Sequence, residues 1–281
     1  MAIYEIPDEQ YRSMDALSQS MAKRLLDSGM RYRYEQPMQT DAFRVGNLID
    51  TMTLTPALAE ERFIVTPDFA AHPDNVDAKG NPSTSSRTTW AKEQMSLFGK
   101  RHSTQVFVSR EEWQTASLLA SRIRSKPMVK CWLENDAVKT QLAITGTIRG
   151  VECKMLSDLI VPTTLIDLKS TKDASKRSFR GDFFRYRYGF QFAWYRMLAN
   201  QNGYNISRDQ CYVIAACKLP PHDVVVYSIP ERWIVDAEID VATAVDRYKE
   251  YTAANNWPGA DGGLDSISLG ESQEIEVEWD V

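Results

Sequence analysis

Asp158 and the run Asp167-Leu168-Lys169 stand inside two apolar, β-branched stretches, Leu159-Ile160-Val161 and Leu165-Ile166, with Pro162-Thr163-Thr164 between them as a turn. Apolar runs of this length bounded by turn residues read as strands. Period-two alternation points Asp167 and Lys169 to one face. A carboxylate and an ammonium on a buried strand cost free energy unless something offsets their desolvation. A divalent cation and a phosphate together would do so. An acid, a second acid about ten residues on and a lysine two further occur by chance about once in a chain of this size, and fit a surface hairpin with an ion pair equally well. The context separates the two readings: the charges lie within apolar strands, and a basic segment and a long aromatic helix follow at once.

With 281 residues, 43% hydrophobic and 25% charged, the chain is an ordinary globular protein of one large or two small domains. The start, Met1 to Gln10, has neither a basic region nor an apolar core, so no signal peptide is read there and a cytoplasmic location is expected; no run is long enough to span a membrane. A net charge of −5 argues against a general nucleic-acid coat protein, but the charge is segregated. Between Lys169 and Arg187 lie seven basic residues against Asp173 and Asp182, whereas from Asp261 onward there are seven acidic residues and no basic one. A basic patch beside carboxylates suits a polyanionic substrate. The acidic tail reads as a partner-binding peptide or as a closing strand. Cys131, Cys153, Cys211 and Cys217 form no Cys-x-x-Cys pair, so no zinc site is expected, and Cys211 and Cys217, six apart in an apolar run, read as buried thiols. His72, His102 and His222 lack the spacing of a triad or a metal motif.

Periodicity predicts a helix over 13–31, a second over 41–54 ended by Pro56, and a strand over 61–67. Residues 68–89, rich in Pro, Asn, Ser, Asp and Gly, read as a long loop, either mobile or functional. Helices are expected over 89–99 and over 109–133, the latter opened by the capping signal Ser109-Arg110-Glu111-Glu112. From 140 the pattern turns to strands: a hairpin over 141–146 and 150–155, then the strands of Asp158 and Asp167. A helix over 182–200, strands over 210–218 and 223–229, and a helix from Pro230 to about 255 complete the chain. This order predicts an α/β fold, a central mixed β-sheet flanked by helices, as one domain. Its helical part would cover 1–135, its core 136–255 and its acidic tail 256–281.

Phosphodiester hydrolysis needs an in-line water, neutralised phosphate oxygens and a stabilised leaving group, which carboxylate-bound Mg²⁺ largely supplies. Asp158 and Asp167 are the candidate metal ligands, with the Leu168 carbonyl a third, and Lys169 would act on the water and the phosphate. Gln191 and Tyr195, four apart, share a helical face. They would lie over the site, or else Tyr195 is core and Gln191 caps a neighbouring strand. Ser170, Lys172, Lys176, Arg177 and Arg180 are the candidate phosphate contacts.

The ordered set Cys153-Lys154-x-x-x-Asp158, Ile166-Asp167-Leu168-Lys169-Ser170-Thr171 and Gln191-x-x-x-Tyr195 resembles the PD-(D/E)XK nuclease superfamily, nearest its RecE-type (exonuclease VIII) and RecB-like branch. Ser18-Gln19-Ser20-Met21, Arg44 to Asp50 and the stretch 61–67 resemble that branch's upstream motifs. The resemblance covers about 13–230. It implies a restriction-endonuclease-like core and a Mg²⁺-dependent exonuclease, with Mn²⁺ as a possible substitute, resecting double-stranded DNA from 5′ ends to leave 3′ tails. It further implies a ring-shaped homo-oligomer, a single-strand annealing protein as partner, and phage-type recombination in a bacterial host. The roles fall on Asp158, Asp167, Lys169, Gln191 and Tyr195. The branch has His where this chain has Asp50, itself a competent hard ligand for a second metal. The alternatives are a catalytically silent DNA-binding scaffold, and an endonuclease of the same fold.

Overall fold

The computed structural model describes residues 2–4, 8–36 and 40–261. The acidic tail, whether partner peptide or closing strand, lies outside the described residues. In chain order the elements are β1 (Ala2–Tyr4), α1 (Asp8–Ser13), β2 (Leu17–Ser18), α2 (Gln19–Asp27), α3 (Gly29–Tyr34), α4 (Asp41–Leu54), α5 (Ala59–Arg62) and β3 (Phe63–Val65). Then come α6 (Thr89–Arg101), β4 (Val106–Val108), α7 (Arg110–Ser125), α8 (Pro127–Leu133), β5 (Lys139–Ile148), β6 (Val151–Val161) and β7 (Thr164–Thr171). The chain continues through α9 (Lys176–Arg185), α10 (Tyr188–Gln201), β8 (Cys211–Cys217), β9 (Val224–Ser228) and α11 (Glu231–Ala254).

Seven strands form one mixed sheet in the order β1-β5-β6-β7-β8-β9, with β2 paired to β6 off this path. The β5–β6 and β6–β7 connections are antiparallel hairpins, and β7–β8 is parallel, crossing over through α9 and α10. Alternate residues of the strands feed two apolar layers. Leu165, Val213 and Ala215 pack with α2, α10 and α11, whereas Ile166, Leu168 and Ile214 pack with α4, α7 and α8. Helices therefore cover both faces, and β7 is buried on both sides, as a parallel central strand must be. No helix among the described residues is long and apolar enough to cross a membrane.

Local chemistry explains where elements differ from expectation. The helix predicted over 13–31 is interrupted by β2 and broken at Ser28. The hydroxyl of Ser18 accepts from the Met21 amide and that of Ser28 from the Arg31 amide, so each serine starts a new helix. The capping box at Ser109 and Glu112 is present, but the helix it opens ends at Ser125, because Lys126 is extended before Pro127. The expected strand over 61–67 shrinks to β3, which pairs in parallel with β4, a strand the pattern did not suggest. β6 runs unbroken through Asp158, which therefore shares the strand of Met155.

The loop between β3 and α6 is organised by one buried side chain. Asn75, 1% exposed, donates to the carbonyls of Ala70 (3.0 Å), Ser83 (2.7 Å) and Ser85 (3.1 Å) and accepts from the Thr88 hydroxyl. Cys153, Cys211 and Cys217 are buried and Cys131 exposed, all as free thiols.

Candidate active site

The hairpin of β6 and β7 is zipped only near its turn. Its pairs are Val161 with Thr164, Ile160 with Leu165 and Leu159 with Ile166, and the ladder stops one step short of Asp158 and Asp167. Beyond that point β7 stays with β8, while the edge of β6 is taken over by β2 at Cys153 and Lys154. The two strands splay and the aspartates flank the notch. Asp158 reaches across it: Oδ2 accepts the Leu168 amide at 2.8 Å, replacing a ladder bond. On the other side of β6, Gln141 adopts φ +51° in mid-strand and donates from its amide to Asp158 Oδ1 at 3.4 Å. A non-glycine residue with positive φ beside a carboxylate is backbone strain of the kind found at functional sites.

Asp167, 2% exposed, is held from two directions. Lys169 forms an ion pair with it, and Gln191 of α10 donates to Oδ1 at 2.5 Å. Asp167 Oδ2 is buried against the Lys169 ammonium, its counter-charge. Tyr195 is buried, and burial, followed by Tyr11 and the two aspartates, pushes its hydroxyl well above its ordinary pKa. Gln191 and Tyr195 thus both face the site, and Tyr195 is also core.

The carboxylates outnumber their compensation. Burial, then Asp167, pushes Asp158 up to about 7 against the pull of Lys169 and the Leu168 amide. Asp50, presented by α4 from the opposite layer, is raised well above the carboxylate range by burial and by Asp158. Burial opposes the charge on Lys169, yet Asp167 and Asp158 outweigh it and hold that pKa above its usual value. Gly46, one turn before Asp50, lets α4 approach β7: a Cβ there would stand 3.3 Å from Ser170 Oγ.

Three contributors were not found from sequence: Gln141, Tyr188 and Lys23. The helix predicted over 182–200 is in fact α9 and α10, broken where Arg187 takes φ +50°. Gly189 follows, where a Cβ would meet the Trp233 carbonyl at 3.3 Å. The break places the Tyr188 ring 5.2 Å from Lys169 Nζ. Lys23 of α2 donates to the Tyr186 carbonyl at 3.1 Å. Burial, then repulsion from Lys169, lowers the Lys23 pKa to about 8. No pattern in the sequence links these positions. Of the predicted phosphate contacts, Ser170 is half-buried at the end of β7, Lys172, Lys176 and Arg177 are exposed, and Arg180 lies with its guanidinium 5.6 Å from the Trp233 ring.

Among the described residues no three acidic, histidine or cysteine side chains form a preformed cation cage. The donors fit a hard divalent cation nevertheless. Asp50, Asp158 and Asp167 are oxygen ligands crowded enough to raise two of their pKa values.

A family model described as a PDDEXK-like domain of unknown function (DUF3799) matches residues 14–269. Among solved structures, the fold is similar to that of a candidate exonuclease from Eubacterium rectale, at 13% identity and a TM-score of 0.58, over 99% of this chain and 100% of that one. No curated protein matches the chain.

Proposed function

We propose, given that the chain belongs to the PDDEXK-like family (DUF3799) and so to the PD-(D/E)XK nuclease superfamily, that it is a Mg²⁺-dependent exonuclease resecting duplex DNA from 5′ ends. The observation that carries this reading is the notch between β6 and β7, where Asp158, Asp167 and Asp50 share Lys169 as their nearest cation.

Asp158, Asp167 and Asp50 would hold the cation, with the Leu168 carbonyl beside them, and Mn²⁺ would serve in place of Mg²⁺. A divalent cation bound there supplies neutralisation of phosphate charge and acidification of a water. Gln191 fixes the Asp167 carboxylate, so that its other oxygen, paired with Lys169, keeps one direction. Lys169, held protonated by the aspartates, serves as a cation toward the phosphate rather than as a base. Tyr195, kept neutral by burial, offers a hydroxyl proton. Lys172, Lys176 and Arg177 would contact the backbone of the duplex. In this reading the protein works as a ring-shaped homo-oligomer and hands 3′ tails to a single-strand annealing protein.

The test is digestion of linear duplex DNA bearing a 5′-phosphate, with and without Mg²⁺. Lys169→Ala and closed-circular DNA are the controls. Progressive loss of the linear substrate, dependent on Mg²⁺, sparing the circle and reduced about a hundredfold or more in Lys169→Ala, is the expected result. Cutting of the circle would replace the reading with an endonuclease. DNA binding without cleavage under Mg²⁺ or Mn²⁺ would leave a silent scaffold.

A further inference from the structure

The break between α9 and α10 exposes aromatic rings where a soluble surface ordinarily carries polar side chains. Phe184 is 50% and Tyr186 48% exposed. They belong to a connected series: Phe184 packs edge-on against Trp233 at 4.6 Å between centroids, and Tyr186 stacks on Tyr188 at 5.7 Å and 29°. Tyr188 in turn lies under the Lys169 ammonium at 5.2 Å. An aromatic path therefore runs from the surface to the acidic notch.

Cations accompany these rings. The Arg180 guanidinium lies 5.6 Å from Trp233 and that of Arg185 lies 5.5 Å from Tyr186. The guanidinium groups beside the exposed rings disfavour a cationic partner. Rings and guanidinium groups together suit a ligand that offers flat π faces on an anionic backbone. Beside Phe184 and Trp233 opens a cleft of about 190 Å³, lined also by Arg187, Asp236 and Asp240. Those carboxylates would repel phosphates from the cleft and could accept hydrogen bonds from base amino groups.

The geometry points to a stacking platform, formed by Phe184 and Tyr186 with Trp233 behind them, for the unpaired bases of a single strand. The direction in which that strand leads, toward Lys169, rests on the nuclease reading; the binding itself does not. The platform means that the protein engages a frayed or already single-stranded segment next to the notch, rather than an uninterrupted duplex.

The measurement is binding, in EDTA so that nothing is cleaved, of a fluorescent single strand and of an abasic strand of equal length and charge. Wild type is expected to favour the base-bearing strand by about tenfold or more, since each stacked base contributes measurably. Phe184→Leu with Tyr186→Leu should bring the two affinities together, whereas Tyr186→Phe, which keeps the ring, should retain the preference. Both substituted positions are half-exposed, and a melting curve checks that the double variant is folded. Equal affinity of wild type for the two strands overturns the proposal. So does an unchanged preference in the folded double variant. Duplex digestion is scored separately: a failure to cleave with the base preference intact removes the nuclease reading and leaves the platform standing.

Discussion

Replacing Asp158 by Asn tests whether the notch is poised for a cation. Asn keeps an oxygen for the Leu168 amide, which Asp158 accepts at 2.8 Å, so the substitution removes charge with little change of shape. Burial and then Asp167 raise the Asp158 pKa from 3.8 to about 7. A folded-state pKa raised above the unfolded one means stability that is present below the unfolded value and lost as pH rises through the folded one. The raised pKa of Asp158 corresponds to at most about 4 kcal/mol. The neighbouring groups relax when one carboxylate is neutralised, and about 2 kcal/mol should appear in the single variant. In a chain of this size that is about 4 °C in melting temperature. The assay is thermal unfolding of wild type and Asp158→Asn in EDTA at pH 5 and pH 8. The variant should gain on wild type between the two, because only wild type has the Asp158 carboxyl to ionise there. Adding Mg²⁺ at pH 8 should then raise the wild-type melting temperature and leave the variant's largely unmoved. A difference between the two proteins that is the same at pH 5 and pH 8 would refute the account of a strained carboxylate cluster.

Gln191→Ala removes the amide that holds Asp167 Oδ1 and should lower nuclease activity about tenfold or more while raising the Mg²⁺ concentration for half-activity; an unchanged Mg²⁺ titration would deny it a positioning role. Asn75→Ala strips three carbonyls and the Thr88 hydroxyl of their partner, at a cost of about 2–4 kcal/mol, and limited trypsinolysis should then cut first at Lys79 or Arg87. Gly46→Val places a branched side chain where even a Cβ would stand 3.3 Å from Ser170 Oγ, so a calorimetric loss of about 1–3 kcal/mol is expected, together with a weaker Mg²⁺ response.

What sequence could reveal was set by the range of the forces involved. The alternation that carries Asp167 and Lys169 to one face is a property of three consecutive residues, and the ion pair between them follows. The capping box at Ser109 is equally local. By contrast, β2 is only two residues long and exists because β6 offers it a vacated edge, which no local propensity records. The same holds for β4, whose pairing with β3 spans some forty residues. Arg187 breaks the helix predicted over 182–200 although arginine itself is a good helix former; the close packing of Gly189 against α11 accompanies the break. Lys23 joins the site from a helix more than a hundred residues away in sequence, so charge patterning along the chain could not find it.

These long-range departures meet at one place. Gln141 and Arg187 take left-handed backbone on either side of the carboxylates, and the β6–β7 ladder ends between them. Each costs free energy of about 1–3 kcal/mol or forgoes hydrogen bonds a regular sheet would make. The surrounding molecule can hold them because the sheet is buried on both faces and α10 is nearly all core, with Phe190, Phe192 and Trp194 fully enclosed. A regular continuation of the hairpin would have paired Asp158 directly with Asp167, leaving no opening for a cation or a phosphate oxygen. The splay leaves the two aspartates flanking a notch instead of paired across a ladder, and the two apolar layers hold them there against their mutual repulsion.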